Sequence, residues 1–206
     1  MPANDPLWTA PSTGSQLQAT NELMEVYFRH ISPEDQRELG EGGRKAMVQS
    51  HLELAVEAAG EPKIGIVRQP RYAVVQVVHP DIRFLVDSVS AELNKMDVPM
   101  SVIVHPIVVA HHAQKDQRLT AIFELPAHQP RLSGDAVMPL EHIPAAPEGQ
   151  HAELQSWISI QTGVPLESDQ AANLEAAVEA ALADVRSANE DFELLKKAAT
   201  QTAEAL

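Results

Sequence analysis

The stretch Tyr72-Ala73-Val74-Val75-Gln76-Val77-Val78-His79-Pro80-Asp81-Ile82-Arg83-Phe84-Leu85-Val86-Asp87-Ser88-Val89-Ser90-Ala91-Glu92-Leu93 changes its hydrophobic period part-way along. Up to Val78 the residues are β-branched and alternate. Val75 and Val77 fall on one side, Val74 and Val78 on the other, which reads as a central strand covered on both faces. From Ile82 the apolar residues recur at helical spacing: Ile82, Leu85, Val86, Val89, Leu93 and Met96 form one stripe. Asp81 is placed to cap that helix, and Pro99 ends it.

Working outward, Lys63–Arg68 is a second β-branched run bounded by prolines. Met100–His112 is a long strand, in which Pro106 cannot donate to a ladder and so marks an edge or a bulge. Lys115-Asp116-Gln117-Arg118 is a polar turn, and Leu119–Leu125 returns as its hairpin partner. Residues 126–150 form a proline-rich loop insertion without period. Glu153–Gln161 alternates, with Leu154, Ser156, Ile158 and Ile160 on one face and Trp157 on the other. Ser168 then opens a helix whose stripe is Leu174, Ala177, Val178, Ala181, Leu182, Val185, Phe192 and Leu195.

Before the strands, Pro2, Pro6, Pro11 and Gly14 make residues 1–14 a flexible leader. Residues 15–61 read as a helical arm. Met24, Tyr27, Phe28 and Ile31 are spaced for a helix that begins near Ser15. Ser32-Pro33-Glu34-Asp35 is a second start, Gly40, Gly42 and Gly43 interrupt it, and Ala59-Gly60-Glu61-Pro62 is a stop. The domain proper is 62–200, and 201–206 reads as a frayed tail. The order β, β, α, β, β, loop, β, α predicts an α+β fold: a ferredoxin-like antiparallel sheet with two helices on one face, preceded by the helical arm.

Composition removes several function classes. The formal charge of −14 opposes nucleic acid and anionic membrane, which draw their affinity from Lys and Arg. Without cysteine there is no disulfide, no thiolate metal site and no thiol nucleophile; this fits a cytoplasmic setting. A sheet that binds RNA needs exposed aromatics, and Tyr72, Phe123 and Trp157 are too few.

The remaining chemistry is thin. Gly40-Glu41-Gly42-Gly43-Arg44-Lys45 resembles a phosphate loop only superficially, because a helix precedes it and the spacing is wrong. His105 and His111 share a strand face but lie about 20 Å apart at 3.3 Å per residue, and His112 points the other way, so they do not share a metal. Asp81 and Asp87 are six apart on a helix and make no acid–base pair. No catalytic residue is assigned.

From roughly residue 20 to residue 200, most sharply at Phe84–Leu93, the chain resembles the N-terminal region of the large bacterial NAD-specific glutamate dehydrogenases. Phe84-Leu85-Val86-Asp87-Ser88 matches that family's helix start, Val104-His105-Pro106-Ile107 its following strand, and Glu153–Gln161 a later one. Arg83 stands where the family usually has proline. The resemblance implies an ACT-like regulatory or assembly domain without catalysis of its own, belonging to a longer parent that oxidises glutamate to 2-oxoglutarate with NAD. It implies no cofactor in this segment. The implied partners are the rest of the parent chain, a second copy paired through a sheet edge, and an amino-acid effector. In ACT domains the turn after the first core strand often meets such an effector. Here that turn is His79, Asp81, Ile82, Arg83 and Phe84. The alternative is a stand-alone amino-acid-binding sensor.

Overall fold

The computed structural model describes residues 5–12, 15–125 and 144–204. Seven strands and four helices follow in the order β1 (Trp8–Thr9), α1 (Asn21–Tyr27), α2 (Pro33–Ala58), β2 (Lys63–Arg68), β3 (Ala73–Pro80), α3 (Leu85–Lys95), β4 (Met100–Val104), β5 (Ile107–Ala113), β6 (Leu119–Glu124), β7 (Gln150–Thr162) and α4 (Ser168–Glu204).

All pairings are antiparallel, in the order β1-β6-β5-β7-β3-β2, with β4 also on β7. The Met100–His112 strand is broken rather than continuous. Its two halves, β4 and β5, lie end to end along β7, and the break falls at His105-Pro106. Pro106 lacks an N–H, yet its carbonyl accepts from Trp157 N at 3.0 Å, so the ladder is bent there without being lost. The centre keeps the ferredoxin-like plan, with β7 between β3 and the β4–β5 pair. The edges differ from it: β2, which precedes β3, takes the place beside β3 that a strand after α4 would fill.

Alternation on the central strands divides two cores. Val75, Val77, Ile158 and Ile160 face α3 and α4, where they meet Leu85, Val89, Leu93, Leu174, Val178 and Leu182. Val74, Val78 and Trp157 face the opposite way, onto Val48, Leu52 and Ala55 of α2. Both faces are therefore covered, and the 15–61 arm is the third layer. Truncating a fully buried Leu93 or Leu174 to alanine removes transfer energy and leaves a cavity, a cost of about 2–5 kcal/mol.

Local signals held at the helix ends of the arm. Ser32 Oγ accepts from Asp35 N at 3.0 Å, with Pro33 in the first turn, and Ala59 closes α2 in the left-handed region. Three expectations change. The first helix begins at Asn21, not near Ser15, because Thr20 caps it by accepting from Leu23 N. The interruption falls at Gly40 alone, whose non-helical backbone (φ 65°, ψ 167°) joins two helical segments at a kink within α2, whereas Gly42 and Gly43 are helical. Part of the leader is ordered: Leu7 N donates to Ile122 O at 2.7 Å and Leu7 and Trp8 are buried, since two large apolar side chains gain more from the core than from solvent.

Two further differences concern α3 and α4. Asp81 does not cap α3; Phe84 occupies that position in the left-handed region with no side-chain bond. In α4 the buried stripe stops at Val185, and Phe192 and Leu195 are exposed. The helix runs through 201–204, where the tail was expected to fray. Residues 126–143, most of the proline-rich insertion, lie outside the described residues, as do 1–4, 13–14 and 205–206.

Candidate functional site

The turn between β3 and α3 holds the most reactive arrangement near the surface. His79 is the penultimate residue of β3 and is 1% exposed. Its Nδ1 donates to Pro80 O at 2.7 Å, which leaves Nε2 as a bare acceptor; that atom is buried and has no hydrogen-bond partner among the described residues. Burial holds the ring below the usual histidine range, the Pro80 bond opposes this, and Arg186 adds to it. The ring is thus neutral at pH 7, with a lone pair and no donor.

Asp81 follows on the exposed side of the turn. Its backbone N donates to Leu154 O at 2.8 Å, and its carboxylate accepts from Ser156 Oγ at 2.5 Å. Ser156 Oγ in turn accepts from His105 Nε2 at 3.0 Å. This Ser, His and Asp set is ordered the wrong way for nucleophilic catalysis. The serine proton points at the carboxylate, the histidine is a donor to Oγ, and Ser156 is fully buried. The relay instead pins the turn to β7 and to the β4–β5 break.

Ile82 is half-buried against the α3 core. The Arg83 carbonyl accepts from Asn189 Nδ2 of α4 at 3.4 Å, and its guanidinium lies 5.1 Å from the Phe192 ring centroid. Phe84 is 65% exposed at φ 67°, an uncommon conformation for an aromatic residue. The five residues named from sequence share one turn, but their side chains go different ways: His79 is buried, Asp81 bonds Ser156, Ile82 packs against the core, Arg83 lies by Phe192 and Phe84 is exposed.

A second polar cluster escaped the sequence reading. Tyr27 OH lies 2.6 Å from both His51 Nδ1 and Ser159 Oγ, and Gln76 Nε2 donates to Ser159 Oγ at 3.1 Å. His51 Nε2 faces Val77 O at 3.1 Å, so Nε2 carries the proton and Nδ1 accepts. One consistent chain runs from Gln76 through Ser159 and Tyr27 to His51. His51 also stacks on Trp157 at 4.8 Å. Burial lowers its pKa to about 3 and pushes the Tyr27 phenol up. These groups are sealed between α2 and the sheet, so their role is structural. The available signal was His51 standing on the same helical stripe as Met47, Leu54 and Ala58.

His111 and His112 are buried too. They bond the carbonyls of Pro144 (3.0 Å) and Gln117 (2.9 Å), and no group of three or more metal-ligating residues occurs among the described residues. The Gly40–Gly43 segment lies inside α2 with no strand before it, so it does not form the strand–turn–helix that a dinucleotide requires. No described helix is long and apolar enough to cross a membrane.

The sequence profile of the family described as glutamate dehydrogenase, ACT1 domain, matches residues 23–178, from α1 through the first turns of α4. No curated protein and no solved structure matches the chain. The match takes in six of the seven strands and the whole β3–α3 turn, and the observed antiparallel sheet flanked by helices is an ACT-like arrangement. The chain belongs to the glutamate dehydrogenase ACT1 domain family.

Proposed function

We propose that this chain is the regulatory and assembly domain of an NAD-dependent glutamate dehydrogenase, and that its β3–α3 turn receives an amino-acid effector. The oxidative deamination of glutamate to 2-oxoglutarate, and the NAD that accepts the hydride, belong to the rest of the parent chain in the cytoplasm. The observation that carries the effector site is the buried, unpartnered Nε2 of His79. A buried acceptor without a donor costs about 1–3 kcal/mol. An ammonium group that reached it, once the turn opened, would relieve that cost, with the Asp81 carboxylate two residues along the same turn. Arg83 and the α3 N-terminus, whose cap has no side-chain acceptor, favour the carboxylate of the same molecule.

Self-association through a sheet edge is part of this reading. Among the described strands β2 pairs on one side only, with β3, which leaves Lys63–Arg68 as an edge able to meet another sheet. The effector site is tested by thermal shift and calorimetry with each of the twenty amino acids. One or a few are expected to stabilise the chain, and Asp81→Asn and Arg83→Ala should each weaken binding tenfold or more, on the order of 1.4 kcal/mol. Absence of any shift across the set removes the effector site. Steady-state turnover of glutamate and NAD by the chain alone would overturn the assignment of the chemistry elsewhere.

A further inference from the structure

The hydrogen-bond phase of β2 determines how its open side can pair. β2 and β3 match residue for residue from Lys63↔Val78 to Arg68↔Ala73, without a bulge. Just beyond them Gln69 N donates to Tyr72 O at 2.8 Å. Bonded and non-bonded pairs alternate along an antiparallel ladder. Counting back from Gln69, the backbone groups of Val67, Gly65 and Lys63 therefore point at β3. Those of Ile64, Ile66 and Arg68 point to the open side.

The side chains of this strand are half-covered on both faces. Ile64 and Ile66 are partly buried on the α3–α4 side, and Val67 is partly buried on the α2 side. Lys63 Nζ is turned to Glu57 of α2 at 2.9 Å, so its charge is already met within the chain. Such an edge is completed by a strand that continues the same layers, apolar on both faces and helix-covered on both. A second copy of β2 is a strand of that kind.

We infer that two copies of this chain join their β2 strands antiparallel about a two-fold axis at Ile66, an inference that rests on the sheet-edge reading above. Symmetry and proline fix the register. Outward residues must face outward residues. Centring on Ile66 sets Ile66 opposite the partner's Ile66 and Ile64 opposite the partner's Arg68, so all three outward residues of both strands are bonded. Centring on Ile64 sets Ile66 against the partner's Pro62, and centring on Gly65 sets Arg68 against it. Centring on Val67 sets Ile64 against the partner's Pro70. Each of these loses a donor, because proline has no N–H. Centring on Arg68 puts two like charges directly opposite. The contact is isologous and closes at a dimer.

The chain has no cysteine, so introduced cysteines report the register. At the axis the two Cα atoms lie about 5.5 Å apart, within the roughly 4.4–6.8 Å that a disulfide spans. Ile66→Cys is expected to give a covalent dimer with oxidised glutathione. Ile64→Cys and Arg68→Cys, each offset from its copy by four residues or about 13 Å, are expected to give none. Combining Ile64→Cys with Arg68→Cys is expected to cross-link although neither does so alone, and this variant leaves Ile66 in place. Sedimentation velocity of the 206-residue chain separates two failures. A monomer at every concentration overturns self-association, and this inference with it. A dimer in which Ile64→Cys or Arg68→Cys cross-links alone, or in which neither Ile66→Cys nor the double variant does, overturns the register and leaves self-association standing.

Discussion

His51, bonded to Tyr27 and Ser159, makes the folded domain sensitive to acid. His51 is neutral in the folded chain, with its pKa lowered from 6.5 to about 3 by burial. The sign follows directly. Below pH 6.5 the unfolded chain takes up a proton at this position and the folded chain does not, so stability is full above pH 6.5 and falls as the pH drops toward 3. Each unit in that window costs about 1.4 kcal/mol from His51 alone. His79, His111 and His112, all lowered first by burial, act in the same direction. Urea unfolding at about pH 7 and about pH 5 should show the loss, and His51→Gln should flatten the slope by about 1.4 kcal/mol per unit; an unchanged slope would assign the effect to other groups. At this scale the sequence was readable only where a residue acts through local backbone. Ser32 as a cap and Pro106 as a break were visible because their effect lies within a few residues. The Tyr27–Ser159 contact spans 132 positions, and the unpartnered Nε2 of His79 depends on what surrounds it in space.

Among the elements, α2 shows how one residue type divides into two roles. Gly40 sits at φ 65°, a conformation costly to any residue with a Cβ, whereas Gly42 and Gly43 are helical with open space where a Cβ would point. Gly42→Ala and Gly43→Ala are expected to stabilise by about 0.5–1 kcal/mol each. Gly40→Ala is expected to destabilise by about 1–3 kcal/mol through backbone strain. Thermal melts of the three variants check this, and a common sign for all three would contradict the kink. The strands and α3 were readable from period alone, because burial on one or both faces imposes the pattern. The bounds of α1 and the order within the leader were not. A seven-residue helix and a two-residue strand are too short to establish a period. The stripe on α4 misled in a different way: its spacing is continuous through Leu195, but the sheet it packs on ends first.

For the molecule as a whole, the layer arrangement follows from β3, which is largely apolar on both faces, and β7, which is buried on both, so that helices are required above and below. The sequence reading had two helices on one face and an arm outside; the alternation at Val74–Val78 already demanded the third layer. The position of β7 carries a further consequence. It is the last strand in the chain, yet it joins two halves of the sheet: β2–β3 on one side and β4–β5–β6 on the other. As the polypeptide leaves the ribosome, everything up to residue 125 emerges with its central ladder unfilled, and those halves have no common partner until Gln150–Thr162 follows. Pairing so distant in sequence is slow to close and leaves unsatisfied strand edges in the interval. A truncated chain of residues 1–125 is accordingly expected to lack cooperative unfolding and to recover it when a peptide spanning residues 144–204 is supplied in trans. Late arrival of the keystone makes the nascent domain a client for chaperones during translation, and places the commitment to fold near the end of its synthesis.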